Sequence, residues 1–143
     1  MHITVKDTIH QPDYDTVHEM LINYNLSKTA HLKDSNNEPL EIIARDDNNV
    51  VIGGIYGRSL WGTLMINYLV VAEGYRDQRI GQQLIAAAEQ EAVKRNCQLI
   101  SLNTYSFQAL PFYEKMGFSQ IGEEANPVLG ITKHFLCKKV GQP

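Results

Sequence analysis

The sequence predicts a mixed α/β (α+β) fold: a mostly antiparallel central sheet, helices on both faces, and one β-α-β unit at its centre. Three observations predict it. Strand-like apolar segments follow one another between residues 40 and 71, and "DDNN" joins the first two as a hairpin turn. The apolar period then turns helical from 79 to 95 and returns to strand-like at 98–105. Two more strand-like segments close the chain, with "ANPVLG" between them.

Each element has its own reason. In "DYDTVHEMLINYNL" (13–26), Val17, Met20, Leu21 and Tyr24 share one face of a helix, with Asp13 or Asp15 as N-cap. "SKTAHLKDSNNEP" (27–39) is polar and rich in turn residues, with room for a short helical piece. "LEIIARD" (40–46), "VVIGGIYG" (50–57) and "GTLMINYLVV" (62–71) read as three strands. From Arg79 to Arg95 the residues Ile80, Leu84, Ala87, Ala88 and Ala92 fall on one helical face. "QLISLNTY" (98–105) is a strand parallel to 62–71, because a helix crosses between them. "SFQALPFYEKM" (106–116) reads as a helix with Gly117 as its C′ residue. "FSQIGEE" (118–124) and "GITKHFLCKKV" (130–140) are the last strands. No repeat or linker interrupts the 143 residues, so one domain over 1–143 is expected.

Composition narrows the function classes. No apolar run reaches the ~20 residues of a membrane helix, and the N-terminal segment lacks a signal-peptide pattern. A cytoplasmic protein with no membrane partner is expected. The net charge of −3 argues against a nucleic-acid partner. Residues 1–71 carry nine acidic and five basic side chains, whereas residues 72–143 carry seven and eight. An acidic front half suits a cationic ligand. Cys97 and Cys137 form no CxxC pair, and no His/Cys cluster has metal-ligand spacing, so no metal is expected. The two thiols read as buried and reduced.

The segment "GYRDQRIGQQL" (74–84) carries the chemistry. A helix start offers N–H groups without intrahelical partners and a partial positive charge, and two arginines and a glycine stand beside it. It is neither a P-loop nor a dinucleotide fingerprint, since GxxxxGK[ST] and GxGxxG are both absent. By physics alone, a solvated basic turn and a phosphate cradle both fit.

"LVVAEGYRDQRIGQQLI" resembles the acetyl-CoA-binding motif of the GNAT superfamily of N-acetyltransferases, a strand followed by R/Q-x-x-G-x-G/A and a helix. Arg76 matches the first position and Gly81 the last, and Arg79 stands where the middle glycine is usual. "SFQALPFYEKMGF" (106–118) resembles the family's N-x-x-A-x-x-x-Y-x-K-x-G-F segment. Ala109, Tyr113, Lys115, Gly117 and Phe118 match, and Ser106 replaces the asparagine. The resemblance implies a GNAT-like fold and an acetyl-CoA-dependent N-acetyltransferase acting on a primary amine, of a small molecule in the first instance. A protein or peptide acceptor, or an acetyl-CoA-binding sensor without turnover, stays open.

The resemblance also implies roles. Leu69, Val70 and Val71 would bond the pantetheine and acetyl carbonyl through their backbone. Arg76, Gln78, Arg79, Ile80, Gly81 and Gln82 would hold the pyrophosphate. Asn103 or Ser106, with Ala109, Phe112, Tyr113 and Lys115, would complete the cofactor site. Tyr113 would protonate the leaving thiolate, a phenol being close to a thiol in pKa; simple packing beside Phe112 and Phe118 is the alternative. Asn67 occupies a position where some relatives carry a carboxylate base, and Glu73 lies just beyond the strand as a candidate base. Tyr68, Tyr105 and His134 are further polar candidates. Tyr56, Trp61 and Asn67 are candidates for the acceptor site, where aromatic rings suit a cation. The resemblance admits a homodimer, with "HFLCKKV" as a pairing surface or an ordinary edge strand.

Overall fold

The structure is a computed structural model and describes residues 1–32 and 35–141. The chain divides into two compact units, Met1–Asp34 and Ser35–Pro143.

The first unit holds helix α1 (Gln11–Lys28) and a 3-10 turn at Ala30–Leu32. The helix begins earlier than the apolar period suggests. His10 is the N-cap, in an extended conformation, and Asp13 lies inside the first turn rather than capping it. Pro12 explains the shift, since proline lacks the N–H that a first-turn residue leaves unpaired anyway. Asp15 likewise sits within the helix, where Gln11 Nε2 donates to its carboxylate at 2.7 Å.

In the second unit, β1 (Pro39–Arg45), β2 (Val51–Leu60), β3 (Thr63–Val71), β4 (Leu99–Tyr105), β5 (Ser119–Asn126) and β6 (Ile131–Lys139) form one sheet. Their order is β1-β2-β3-β4-β6-β5. All neighbours are antiparallel except β3 and β4, which the helix α2 (Ile80–Lys94) connects. "DDNN" makes the expected turn: Asp46 Oδ1 accepts from the N–H groups of Asn48 and Val50, and Asn49 is left-handed at φ 64°. Trp61 and Gly62 form the two-residue turn between β2 and β3, both with positive φ as a type I′ turn requires.

The core lies between the sheet and α2. Ile55, Leu64, Ile100 and Leu136 are fully buried in the strands, and Ile80, Leu84, Ile85, Ala88 and Ala92 face them from the helix. Ile85 takes the place the sequence reading gives to Ala87, which is only half-buried. Ala88 and Ala92, with no accessible surface, let the helix approach closely. The Arg95 guanidinium, just past α2, donates to the carbonyls of Glu38 and Pro39 and to Ser59 Oγ, tying the helix end to β1 and β2.

Two expectations need correction. The helix expected at 106–116 is shorter: α3 spans Leu110–Lys115, because Pro111 is tolerated only in a first turn. The "HFLCKKV" strand is neither an edge nor a free pairing surface. It lies in β6, between β4 and β5, and β5 is the edge. Both cysteines are free, Cys97 buried and Cys137 half-buried. Among the described residues, no helix is long and apolar enough to cross a membrane.

Candidate functional site

The site begins where two strands part. β3 and β4 pair only at Thr63–Leu99, Leu64–Ile100 and Met65–Ser101. Beyond Met65 the β4-facing edge of β3 has no strand partner, and a cavity of about 730 Å³ opens there. It is lined by β3 from Ile66 to Val71 and by β4 from Leu102 to Tyr105. Unpaired backbone N–H and C=O groups are obligatory bonding groups, so this edge is a template for a ligand that carries amides.

A β-bulge marks the parting. Tyr56 faces Tyr68 and Gly57 faces Ile66, which leaves Asn67 without a partner on β2. The bulge reverses the strand's inside-outside alternation. Leu64 and Ile66 are buried before it, while Leu69 and Val71 pack on the core after it, and Tyr68 and Val70 turn outward. Bulges bend a strand and raise its twist. Gly57 makes this one feasible, since a Cβ there would lie 2.0 Å from the Met65 carbonyl oxygen.

The start of α2 closes one end of the cavity. Arg79, Gly81 and Gln82 line it, with Arg76 and Asp77 from the preceding 3-10 turn. The Gln83 N–H is the first to find its intrahelical carbonyl, that of Arg79 at 3.2 Å, so the amides before it remain free for an anion. Arg76 Nε donates to the Val71 carbonyl at 3.3 Å, which anchors this turn to the end of β3. Arg79 is left-handed, at φ 58° and ψ 22°. That conformation favours glycine and explains why a glycine is usual at this position. Gly81 has a different reason: an added Cβ would meet the Phe112 ring at 3.1 Å. The glycine thus sets how far this ring, which also lines the cavity, reaches toward the helix.

Tyr113 stands on another wall. The turn after α3 fixes it: the Phe118 N–H donates to the Tyr113 carbonyl and the Gly117 N–H to that of Glu114, with Gly117 at φ 92°. This is a Schellman motif, and Gly117 is its C′ residue. The Tyr113 ring meets Phe112 and Phe118 edge-on, at centroid distances of 5.2 and 5.9 Å. Packing and access to the cavity therefore coexist in one side chain. Burial raises its phenol pKa above the ordinary tyrosine value, so the group stays protonated at neutral pH.

The other residues singled out from sequence divide clearly. Asn67, Leu69, Val70, Val71, Asn103, Ala109 and Phe112 join Arg76, Arg79, Gly81, Gln82 and Tyr113 around the cavity. Gln78, Ser106 and Lys115 are exposed and do not line it. The Ser106 hydroxyl accepts from the Thr132 N–H at 3.2 Å. The Ile80 side chain is buried in the core. Glu73 lies in an exposed turn past β3 and lines neither this cavity nor the second one described next. Trp61 sits in the β2–β3 turn, at the end of the hairpin away from Ile66–Val71. Tyr56 and Tyr68 line a second, smaller cavity of about 390 Å³ on β1–β3. His134 lies in β6, its Nδ1 3.8 Å from Glu123 Oε2. Phe107 and Gln108 also line the main cavity and were missed. Phe107 stacks on Tyr105 at 5.7 Å, and the two aromatics flanking Ser106 were the available signal.

Comparison with known proteins agrees with this geometry. The model of the acetyltransferase (GNAT) family matches residues 7–118. An acetyltransferase of Agrobacterium fabrum is 35% identical over 122 residues, which are 85% of this chain and 87% of that protein. The blasticidin-S acetyltransferase of Streptomyces morookaense is 32% identical over 106 residues, 71% of this chain and 78% of that one. The crystal structure of an acetyltransferase from Bacillus cereus superposes with a TM-score of 0.84 at 28% identity, covering 98% of this chain and 100% of that one.

Proposed function

The chain belongs to the acetyltransferase (GNAT) family, and from that premise we propose that it moves the acetyl group of acetyl-CoA onto a primary amine of a small molecule. The observation that carries the reading is the gap between β3 and β4, with free helix amides at one end and a protonated phenol on its wall. A cofactor with an anionic end and an amide-bearing arm fits that gap. The amides of Arg79, Ile80, Gly81 and Gln82, with the Arg76 side chain, would take the pyrophosphate. The open edge of β3, at Leu69–Val71, would pair with the pantetheine amides. A blasticidin-S acetyltransferase among the relatives supports a small-molecule acceptor.

The thioester supplies an activated acyl carbon. The amine nitrogen forms the new C–N bond there, and the C–S bond breaks as the tetrahedral centre collapses. A β3 backbone N–H stabilises the oxyanion, a device that contributes about 3–4 kcal/mol. The Tyr113 hydroxyl gives its proton to the departing thiolate and regains one from solvent. Asn67 has no useful basicity and Glu73 lies outside the cavity. The proton of the attacking amine therefore leaves through water.

Calorimetric titration with acetyl-CoA tests the cofactor half of this reading. Arg79→Gly should bind as the parent does, because glycine adopts the left-handed N-cap conformation without strain. Gly81→Leu should bind at least about tenfold more weakly, because the new side chain drives Phe112 into the cavity at an overpacking cost of about 1–3 kcal/mol. Equal affinity of Gly81→Leu and parent would remove this loop from the cofactor site.

A further inference from the structure

The second cavity has a feature that acetyl transfer to a simple amine does not use. Glu41, Tyr56 and Tyr68 lie directly opposite one another on β1, β2 and β3, forming one row across the sheet. The Tyr56 hydroxyl donates to Glu41 Oε2 at 2.7 Å, and the Tyr56 and Tyr68 rings lie 5.5 Å apart with planes tilted by 39°. The next row is Ile43, Gly54 and Val70. Gly54 puts no side chain at its centre, which leaves a hollow floor beside the Glu–Tyr–Tyr wall. An added Cβ at Gly54 would lie 2.7 Å from the Ile42 carbonyl oxygen.

A carboxylate beside two aromatic faces over an apolar floor is complementary to an ammonium group on an aliphatic stem. Tyr68 is here only because the Asn67 bulge turns it outward. Tyr68 and Val70 also line the main cavity, so the two hollows meet at these residues. We propose that the Glu41–Tyr56–Tyr68 row holds an ammonium group of the acceptor, and that a different nitrogen of the same molecule is acetylated. This rests on the transfer reading above. A carboxylate partner favours the charged form of an amine, and a protonated amine has no lone pair with which to attack. The nitrogen held at Glu41 is therefore not the nucleophile. The acceptor class that follows carries at least two amino groups on a flexible or sugar-like frame.

Putrescine, a diamine, and butylamine, its monoamine counterpart, are the probes. Putrescine should shift the Tyr56 and Tyr68 ring resonances in NMR titrations, and Glu41→Gln should weaken its binding about two- to fivefold. Glu41→Gln should also lower the ratio of kcat/KM for putrescine to that for butylamine by about two- to fivefold. Unresponsive Tyr56 and Tyr68 rings, or an unchanged ratio, would overturn the proposal. Acetyl-CoA is titrated into the same samples and read at the Gly81 and Gln82 amides. Silence at those amides with responsive tyrosine rings would sink the transfer reading instead.

Discussion

Tyr113→Phe should lower kcat by about 10²–10³-fold, within the range of general-acid contributions, and leave acetyl-CoA affinity unchanged. The substitution removes one oxygen and keeps the ring between Phe112 and Phe118. Among the described residues, the hydroxyl makes no hydrogen bond whose loss would disturb the fold. Lost turnover with an intact melting temperature is thus a chemical effect. The pH profile gives a second readout. The acid must be protonated to act, and burial raises its pKa. In the parent, kcat should therefore fall on the alkaline side, above the ordinary tyrosine value of about 10. That limb should be absent from Tyr113→Phe. An unchanged turnover in an assay limited by chemistry would return Tyr113 to a packing role.

Gly57→Ala should be the most damaging single-methyl change in the sheet. The new Cβ would lie 2.0 Å from the Met65 carbonyl oxygen and 3.1 Å from the Ile66 Cα. These are backbone atoms, so no side-chain rotation relieves the clash. Either β2 and β3 separate or the bulge at Asn67 is lost. The first costs about 3 kcal/mol, or roughly 10 °C in melting temperature. The second restores strict alternation, turning Tyr68 and Val70 inward and Leu69 and Val71 outward, and spoils the edge that faces the cavity. The first route reads out in the melting temperature, and the second predicts acetyl-CoA binding weakened by about a hundredfold, since it loses about 3 kcal/mol of pre-formed site. Gly122→Ala, at an open position on β5 with nothing within 4 Å of the added Cβ, is the control and should melt as the parent does. A Gly57→Ala protein that melts with the parent and binds acetyl-CoA as tightly would show the bulge to be dispensable.

The local parts of the fold were legible because their causes are local. "DDNN" predicts its turn from side chains that bond their own backbone, and α2 follows from a 3.6-residue period. The position of β6 between β4 and β5 was not legible, because strand order depends on pairings between residues far apart in sequence. The bulge lay half in view. In "LMINYLVV", Leu64 and Ile66 follow one parity and Leu69 and Val71 the other, a conflict that an extra residue between them resolves. The loop motif identified Arg76 and Gly81, and the structure supplies their physical reasons: an anchor to Val71 and a limit on Phe112. The Glu41–Tyr56–Tyr68 row was invisible in the sequence, since its members are brought opposite one another only by the registers of three strands.

Transfer of acetyl from acetyl-CoA to a small-molecule amine is the activity we propose. Its most direct test is thiol release from acetyl-CoA across polyamines, aminoglycosides, amino acids and peptides, with mass analysis of each amine. Amine-dependent release above background hydrolysis, matched by an acetylated small molecule, is the expected result. Tight acetyl-CoA binding with no amine-stimulated release, or release with peptides alone, would contradict it.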